Sequence, residues 1–458
     1  MEREVTLLEM LDAREARVFR QTTLMERYAL PVISFSLNIA GPVKNSPLIR
    51  RAFREGMSRL SDALHAARVN TVYQEEIDQV TGCEAILVVQ NDALNIKQLC
   101  VELEDEDTLG RLFDMDVLDP DGSKLDRESF GHPPRPCLVC GKAGKGCASR
   151  RLHSVEELQR ATRKILRDFF AQKDGDAIAG QAVRALLYEV CTTPKPGLVD
   201  RANNGSHRDM DVFTFVDSTA ALLPYFRNAV SIGQETAERP PNETFLRLRR
   251  AGLEAERAMF AATGGINTHK GAIFSLGTVC AAAGRLWAPE LSWSSPEAIL
   301  NECAAVSKEA VEADFAALQT GAAQTKGQQF FLEHGLRGIR GELADGLPAV
   351  QTIGLPALEN ALKAGASLEE AGSAVLIRLI AEVSDTNLIT RGGMEGRQWA
   401  ARSAAGLAET VPSQQALKAL DREFIRRNLS PGGCADLLAI TYFLHFCSDK
   451  AHKMRYNI

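Results

Sequence analysis

Apolar and polar positions recur along the chain with two different periods, and the change from one to the other divides it. Residues 4–30 repeat apolar side chains at helical spacing and set Arg14, Arg17 and Gln21 three and four apart on one face. Residues 32–39 instead alternate apolar with polar side chains, which predicts a strand, and Gly41 and Pro42 end it. Ser46 then stands as an N-cap with Pro47 at the first helical position, and Ile49, Ala52, Phe53, Gly56, Met57 and Leu60 keep the helical period. Residues 85–89 and 98–103 read as two more strands, and 108–113 as a short helix. The pattern predicts an N-terminal α+β domain with a small mixed sheet.

Ser154 and Glu157 form a capping box, opening a helix with Val155, Leu158, Ile165 and Phe169 on one face. The polar run 171–176 marks the expected boundary, so domains are predicted over residues 1–172 and 177–458. Because that run is short, the domains are expected to be closely coupled. From Ile178 onward Ala-, Leu- and Glu-rich stretches of helical spacing dominate, which makes the chain multidomain with an all-α C-terminal domain. Residues 271–287 and 434–447 are apolar enough to be buried helices. A second capping box, Ser367 with Glu370, starts a helix that runs through Val375, Leu379 and Val383 to Asp385.

Composition narrows the function classes. The 458 residues are 45% hydrophobic and 24% charged, ordinary for globular domains. A net charge of −6 with both signs interspersed argues against nucleic acid as a partner, so an anionic ligand must be met by local Lys and Arg. The N-terminus lacks a basic start followed by an apolar run, and no apolar stretch is long enough for a bilayer, so a cytoplasmic protein without a membrane partner is expected. Ten cysteines in a reducing compartment should be core residues or, where clustered, metal ligands. Cys137, Cys140 and Cys147, with His132 or His153, suit either a tetrahedral structural zinc site or a Gly/Pro-rich loop of free thiols. Lys142, Lys145, Arg150 and Arg151 make that region locally positive.

The densest chemistry lies in residues 188–211. Lys195 sits between Pro194 and Pro196, which hold the backbone extended. Asp200, Asn203 and Asn204 follow, and then His207, Asp209 and Asp211 at alternating positions. Hard oxygen ligands at this density suit Mg²⁺ and a Lys among them suits a polyphosphate, although a turn-rich surface loop collects the same residue types. Gly264-Gly265-Ile266-Asn267-Thr268-His269-Lys270-Gly271 ends in His and Lys just before an apolar helix, and Ser384-Asp385-Thr386-Asn387-Leu388-Ile389-Thr390-Arg391 places Asp, Asn and Arg just after one. Three such clusters at helix ends can converge on one site. In the N-terminal half, the Gly41 loop before the Ser46 cap forms an anion cradle with Lys44 and Arg50 nearby. Asp114 and Asp116, two apart in an extended segment, point the same way and can share a divalent ion.

These three C-terminal segments resemble the triphosphoribosyl-dephospho-CoA synthases that make the prosthetic group of citrate lyase, over roughly residue 180 to the C-terminus. The N-terminal part, through Leu11-Asp12-Ala13-Arg14-Glu15-Ala16-Arg17, Gly41-Pro42-Val43-Lys44-Asn45-Ser46-Pro47 and Phe113-Asp114-Met115-Asp116-Val117, resembles the companion transferase that attaches that group to the lyase acyl-carrier subunit. The resemblance implies a fused, bifunctional enzyme. Its C-terminal half would join ATP to a ribose hydroxyl of dephospho-CoA with loss of adenine, a glycosyl transfer that needs cations on the phosphates, a base for the hydroxyl and a proton donor for adenine. Lys195, Lys270 and Arg391 are then assigned to phosphates, and Asp209, Asp211 and Asp385 to Mg²⁺ or base work. His207 and His269 are acid/base candidates, with Asp200, Asn203, Asn267 and Asn387 as substrate contacts. In the N-terminal half a carrier serine would attack the α-phosphorus and displace diphosphate, with Mg²⁺ on Asp114 and Asp116 and phosphate contacts from Arg14, Arg17, Lys44 and Arg50. Two rival readings are the equivalent maturation of malonate decarboxylase and a non-catalytic nucleotide-sensing scaffold.

Overall fold

The computed structural model describes residues 3–142, 146–290, 293–318 and 326–448. Lys145 of the basic run lies outside them. The chain divides into two units, one ending at Phe170 and the other starting at Ala171.

The first unit begins with α1 (Leu7–Tyr28), where the Thr6 hydroxyl accepts from Glu9 N and the Glu9 carboxylate accepts from Thr6 N. β1 (Val32–Leu37) leads into α2 (Pro47–Ala66), capped by Ser46 as its sequence predicts, and β2 (Asn70–Gln79) turns directly into β3 (Gly82–Gln90). α3 (Ala93–Asp105), β4 (Phe113–Leu118) and the single-turn α4 (Gly146–Ser149) follow. The strand order is β2-β3-β1-β4 and every pairing is antiparallel, where a mixed sheet was expected. The connections explain the difference. α2 and α3 each join two strands that run the same way but have a third strand between them, the split β-α-β arrangement of ferredoxin-like sheets, so parallel strands never become neighbours.

Residues 98–103, read as a strand, belong to α3. Ala93, Ile96, Cys100 and Val101 form its buried side at helical spacing, and Asp92 caps the amides of Leu94 and Asn95. β2 escapes sequence reading because it lies at the sheet edge and none of its residues is fully buried. Strand period separates the two faces of the sheet. Phe35 stacks on Phe53 of α2, with ring centroids 5.1 Å apart. On the opposite face Leu24 of α1 packs with Val32, Ile86, Val88 and Leu118. Register places Asp116 opposite Ser34 and Asp114 opposite Ser36, so both carboxylates share the face that α1 covers.

α5 (Val155–Cys191) starts on the Ser154–Glu157 capping box, and the division between the units falls inside it. The polar run 171–176 stays helical. The second unit continues through α6 (Val212–Glu235), α7 (Pro241–Ala262), α8 (Lys270–Arg285), α9 (Pro296–Leu318), α10 (Lys326–His334) and α11 (Gly338–Ala344). α12 (Leu355–Lys363), α13 (Leu368–Glu382), α14 (Thr386–Ala405), α15 (Gln414–Arg426) and α16 (Gly432–Cys447) complete it. The two runs predicted to be buried are α8 and α16, which meet in one apolar core with Leu186, Phe226 and Leu376. No described helix is long and apolar enough to cross a membrane.

The α5–α6 connection carries the first chemistry-rich segment and is held by carboxylates. Asp200 accepts from the amides of Lys195 (2.9 Å), Ala202 (2.7 Å) and Asn203 (3.0 Å). Buried Asp421 of α15 accepts from Gly197 N and from Asn203 Nδ2, both at 2.9 Å. Replacing Asp421 by Ala leaves both donors without a partner, and each buried orphan costs about 1–3 kcal/mol. Urea unfolding of D421A is expected to show a midpoint lowered by that order with an unchanged slope; an unaltered midpoint would show that Asp421 does not hold the loop.

Candidate active site

A cavity of about 720 Å³ opens in the helical unit. Its wall includes the first residues of α8 (Lys270, Gly271), of α14 (Thr386, Asn387) and of α16 (Gly432, Gly433). Helix N-termini present free amides and the positive end of the dipole, so three of them facing one space suit a polyanion. The N-cap residues of α8 and α16, His269 and Pro431, give no side-chain cap, whereas Asp385 caps α14 by accepting from Asn387 N (2.7 Å) and Leu388 N (3.2 Å). The other Asp385 oxygen accepts from Cys434 N at 2.8 Å, tying the start of α16 to the start of α14.

Lys195 and Glu189 are both buried at the edge of this cavity, and the Lys195 ammonium donates to the Glu189 carboxylate. Asp436 of α16 and Asp385 line the same cavity and form an acidic group with Glu189. Burial raises the pKa of all three carboxyls, most strongly that of Asp436, to which Glu189 and Asp385 add repulsion. Gly271 matters here because a Cβ on it would collide with the Asp436 carboxylate; only glycine lets α8 begin so close.

His269 precedes α8 and is buried. Thr268 Oγ1 donates to Ser218 Oγ, whose own proton goes to His269 Nδ1, both at 2.7 Å. The ring proton therefore sits on Nε2, a buried atom with no protein partner, on a residue that lines the cavity. Burial, and then the Lys195 charge, push the imidazole down to about 3, so it is neutral near pH 7. His207 is arranged differently. Arg391 can only donate, so His207 Nδ1 accepts from it (3.2 Å) and Nε2–H donates to Ser430 Oγ (3.0 Å). Arg391 also donates to Ser206 O and Asn428 Oδ1, and burial followed by the Arg391 charge lowers the His207 pKa.

The cavity thus gathers Lys195, His207, Asp209, Asn267, His269, Lys270, Asp385, Asn387 and Arg391 from all three sequence clusters. Asp209 has no hydrogen bond or ion pair among the described residues, and Lys270 pairs with Glu256 at 2.8 Å. Asp200, Asn203 and Asp211 stand off the wall. The first two shape the loop, and Asp211 caps α6 by accepting from Thr214 N and Oγ1. Sequence reading missed Glu189, Asp436 and Ser430. A signal existed for Asp436, the one charged residue in the otherwise apolar run of α16. A divalent cation fits these donors, since Glu189, Asp385 and Asp436 line one cavity, Lys195 is ion-paired with Glu189 alone among them, and Asp209 is unpaired among the described residues.

In the first unit, Glu84, Ser36 and Asp114 lie side by side across β3, β1 and β4 on the face under α1. Arg17 of α1 binds Glu84 through two nitrogens, and Asp116 pairs with Lys124 at 2.7 Å. The protein packed around Asp114, and then Asp116, raise the Asp114 pKa, which suits a cation between the two. Lys44 turns inward to donate to Ile39 O, Arg50 donates to Asn45 Oδ1, and Arg14 is exposed on α1. Burial, then Arg14, lower the Lys44 pKa. Cys137, Cys140 and Cys147 come together with His153, whereas His132 is hydrogen-bonded to Gln98 Oε1 at 3.1 Å.

The His269 environment has a pH signature. Unfolded, its imidazole takes a proton below its ordinary 6.5; folded, it resists until about 3. Stability is therefore whole above 6.5 and lost as pH falls toward 3, by up to about 1.4 kcal/mol per pH unit. Between pH 7 and 5 the loss of unfolding free energy in H269N is expected to be about 1–2 kcal/mol smaller than in the native chain. Equal losses in urea titrations would show that His269 is not held neutral.

Comparison with known proteins gives these two sites a context. Residues 175–454 match the family model described as ATP:dephospho-CoA triphosphoribosyl transferase, and residues 5–169 match the one described as apo-citrate lyase phosphoribosyl-dephospho-CoA transferase. Protein CitXG of Leuconostoc mesenteroides is 35% identical, covering 96% of this chain and 97% of its own length. Protein CitXG of Haemophilus influenzae is also 35% identical, over 97% of both chains. The 2-(5''-triphosphoribosyl)-3'-dephosphocoenzyme-A synthase of Pectobacterium atrosepticum is 43% identical over 58% of this chain and 87% of its own. With both family models matched in this order, and relatives alike along nearly the whole length, the chain belongs to the ATP:dephospho-CoA triphosphoribosyl transferase family in its fused form, behind an apo-citrate lyase phosphoribosyl-dephospho-CoA transferase unit.

Proposed function

We propose that the cavity of the helical unit joins ATP to dephospho-CoA and that the α1-covered sheet face of the first unit passes the product to a serine of the citrate lyase acyl-carrier subunit. The observation that carries the first half is one cavity wall that combines three helix N-termini, Lys195, Lys270 and Arg391 with an unpaired Asp209 and the unpartnered Nε2–H of His269. The cations and amides hold the triphosphate. Asp209 takes the proton of the dephospho-CoA ribose hydroxyl as its oxygen bonds to C1' of the ATP ribose and the bond to adenine breaks. His269, held neutral, donates a hydrogen bond from Nε2 to the base as it departs as an anion, and the released adenine takes its proton from water while Asp209 returns the hydroxyl proton to solvent. Asp385 and Asp436 would hold Mg²⁺, which supplies charge neutralisation for the triphosphate. His207, fixed between Arg391 and Ser430, orients Arg391.

In the first unit the carrier serine hydroxyl gives up its proton to solvent and its oxygen bonds to the α-phosphorus of the triphosphoribosyl group as the bond to the leaving diphosphate breaks. Asp114 and Asp116 would hold Mg²⁺ there, and Arg14 and Lys44 flank the same face as phosphate contacts. Arg17 is tied to Glu84, which makes it a positioning residue.

Mass spectrometry of the full chain with ATP, Mg²⁺ and dephospho-CoA, with and without apo carrier, tests both halves. Adenine and a triphosphoribosyl product are expected first and a mass gain on the carrier second; no adenine would overturn the reading of the cavity. D209A should slow adenine release by about 10²-fold or more. D211A should remove only a helix cap, at about 1 kcal/mol of stability, and keep turnover. Comparable losses in the two variants would sink the role given to Asp209. D114A should abolish carrier labelling while adenine release continues, and loss of both activities would mean the modules are misassigned.

A further inference from the structure

We propose that the connection between β4 and α5 binds one structural zinc ion through Cys137, Cys140, Cys147 and His153. The four ligand atoms, three sulfurs and one imidazole nitrogen, lie within 4.8 Å of one another. Cys140 Sγ and Cys147 Sγ are 3.5 Å apart, far beyond a disulfide and close to the separation of about 3.8 Å that two sulfurs keep when each is about 2.3 Å from a tetrahedral zinc. All three cysteines are free thiols.

Local backbone bonds build this geometry without help from a hydrophobic core. Gly141 N donates to Cys137 O and Cys137 N to Lys142 O, both at 2.9 Å, closing a tight turn that presents Cys137 and Cys140 to the same side. Gly141 takes φ +70°, the left-handed conformation such a turn needs. On the other arm Leu152 N donates to Cys147 O at 3.0 Å, and His153 stands immediately before Ser154, the cap of α5. His153 Nε2 is buried and has no hydrogen-bond partner. Its Nδ1 faces Glu157 Oε2 at 4.0 Å, the carboxylate-behind-histidine placement common at zinc ligands. The alternative histidine, His132, is occupied with Gln98.

Three thiolates and an imidazole select zinc over the hard cations that serve the phosphates, and a protein-filled tetrahedron leaves no position for substrate, so the ion is structural. Its mechanical consequence reaches the transferase site. Arg135, two residues before Cys137, donates to Phe113 O at 2.6 Å and pairs with Glu104, while Arg111 donates to Pro136 O. Phe113 is the residue before Asp114. Closing the metal loop therefore holds the strand that carries Asp114 and Asp116.

Zinc content of the untagged full chain, by elemental mass spectrometry and by mercurial release into a colorimetric chelator, is the test. About one zinc per chain is expected. C140S and C147S should each lower zinc affinity by at least about tenfold, H153C should retain the ion as a four-cysteine site, and H132A should leave the content unchanged. Cobalt exchanged into the native chain should show thiolate-to-metal charge-transfer absorption. Should the serine variants fail to fold, stripping zinc from the native chain is the second arm: tryptic cleavage between residues 119 and 154 should accelerate and reverse when zinc returns. A chain that neither contains nor takes up zinc, holds iron instead, keeps zinc in both serine variants, or is isolated with a Cys140–Cys147 disulfide overturns the proposal. Stripped protein with unaltered proteolysis overturns the structural role. None of these readouts depends on either transferase activity.

Discussion

The cavity of the helical unit is organised around one buried ion pair, Lys195 with Glu189. Two charges withdrawn from water are expensive, and a buried pair often contributes little net stability against apolar replacements. Removing one partner is another matter, because the surviving charge is stranded at roughly 3–5 kcal/mol. Lys195 lines the cavity together with Glu189, Asp385 and Asp436, an acidic group drawn from α5, α14 and α16. Its charge in turn helps to hold His269 neutral. One buried cation thus bears on both a carboxyl and an imidazole of the wall.

Packing had to be arranged to permit that cluster. Gly271 lets α8 start against the Asp436 carboxylate, and Asp385 joins the starts of α14 and α16 through backbone amides. Asp200 and Asp421 play the same part for the loop that bears Lys195 and His207. Carboxylates that looked like substrate ligands are thus divided in role. Some hold backbone and fix the positions of others, and preorganised geometry of this kind is what a glycosyl or phosphoryl transfer demands.

The first unit reaches a comparable arrangement with different means. Antiparallel register sets Glu84, Ser36 and Asp114 in a row across three strands, and α1 covers the row with Arg17 on Glu84. Cations held on a helix above carboxylates held on a sheet leave Asp114 and Asp116 crowded together, with one exposed lysine, Lys124, as direct partner. Each unit therefore has its own cluster of carboxylates and cations, and the two family models fall one on each unit.

Much of this was legible in the chain itself. Capping boxes at Ser154 and Ser367, the Ser46–Pro47 start and the apolar runs of α8 and α16 are local signals, and each element forms where its signal stands. Asp114 and Asp116 share a face because the period of a strand is two, which needs no tertiary information. Local reading failed at α3, where a six-residue window of apolar alternation hid a longer helical period, and at β2, an edge strand with little buried surface to mark it. The three segments it singled out all reach one cavity, but it could not separate Asp209 on the cavity wall from Asp200 and Asp211 holding backbone, since all are carboxylates in one polar loop. Glu189 and Asp436 lie 247 positions apart in numbering and meet only because α5 and α16 share a core. Residue type and spacing determined what chemistry the chain could carry; tertiary packing decided which side chains face the cavity, because desolvation and hydrogen-bond partners are set by neighbours remote in sequence.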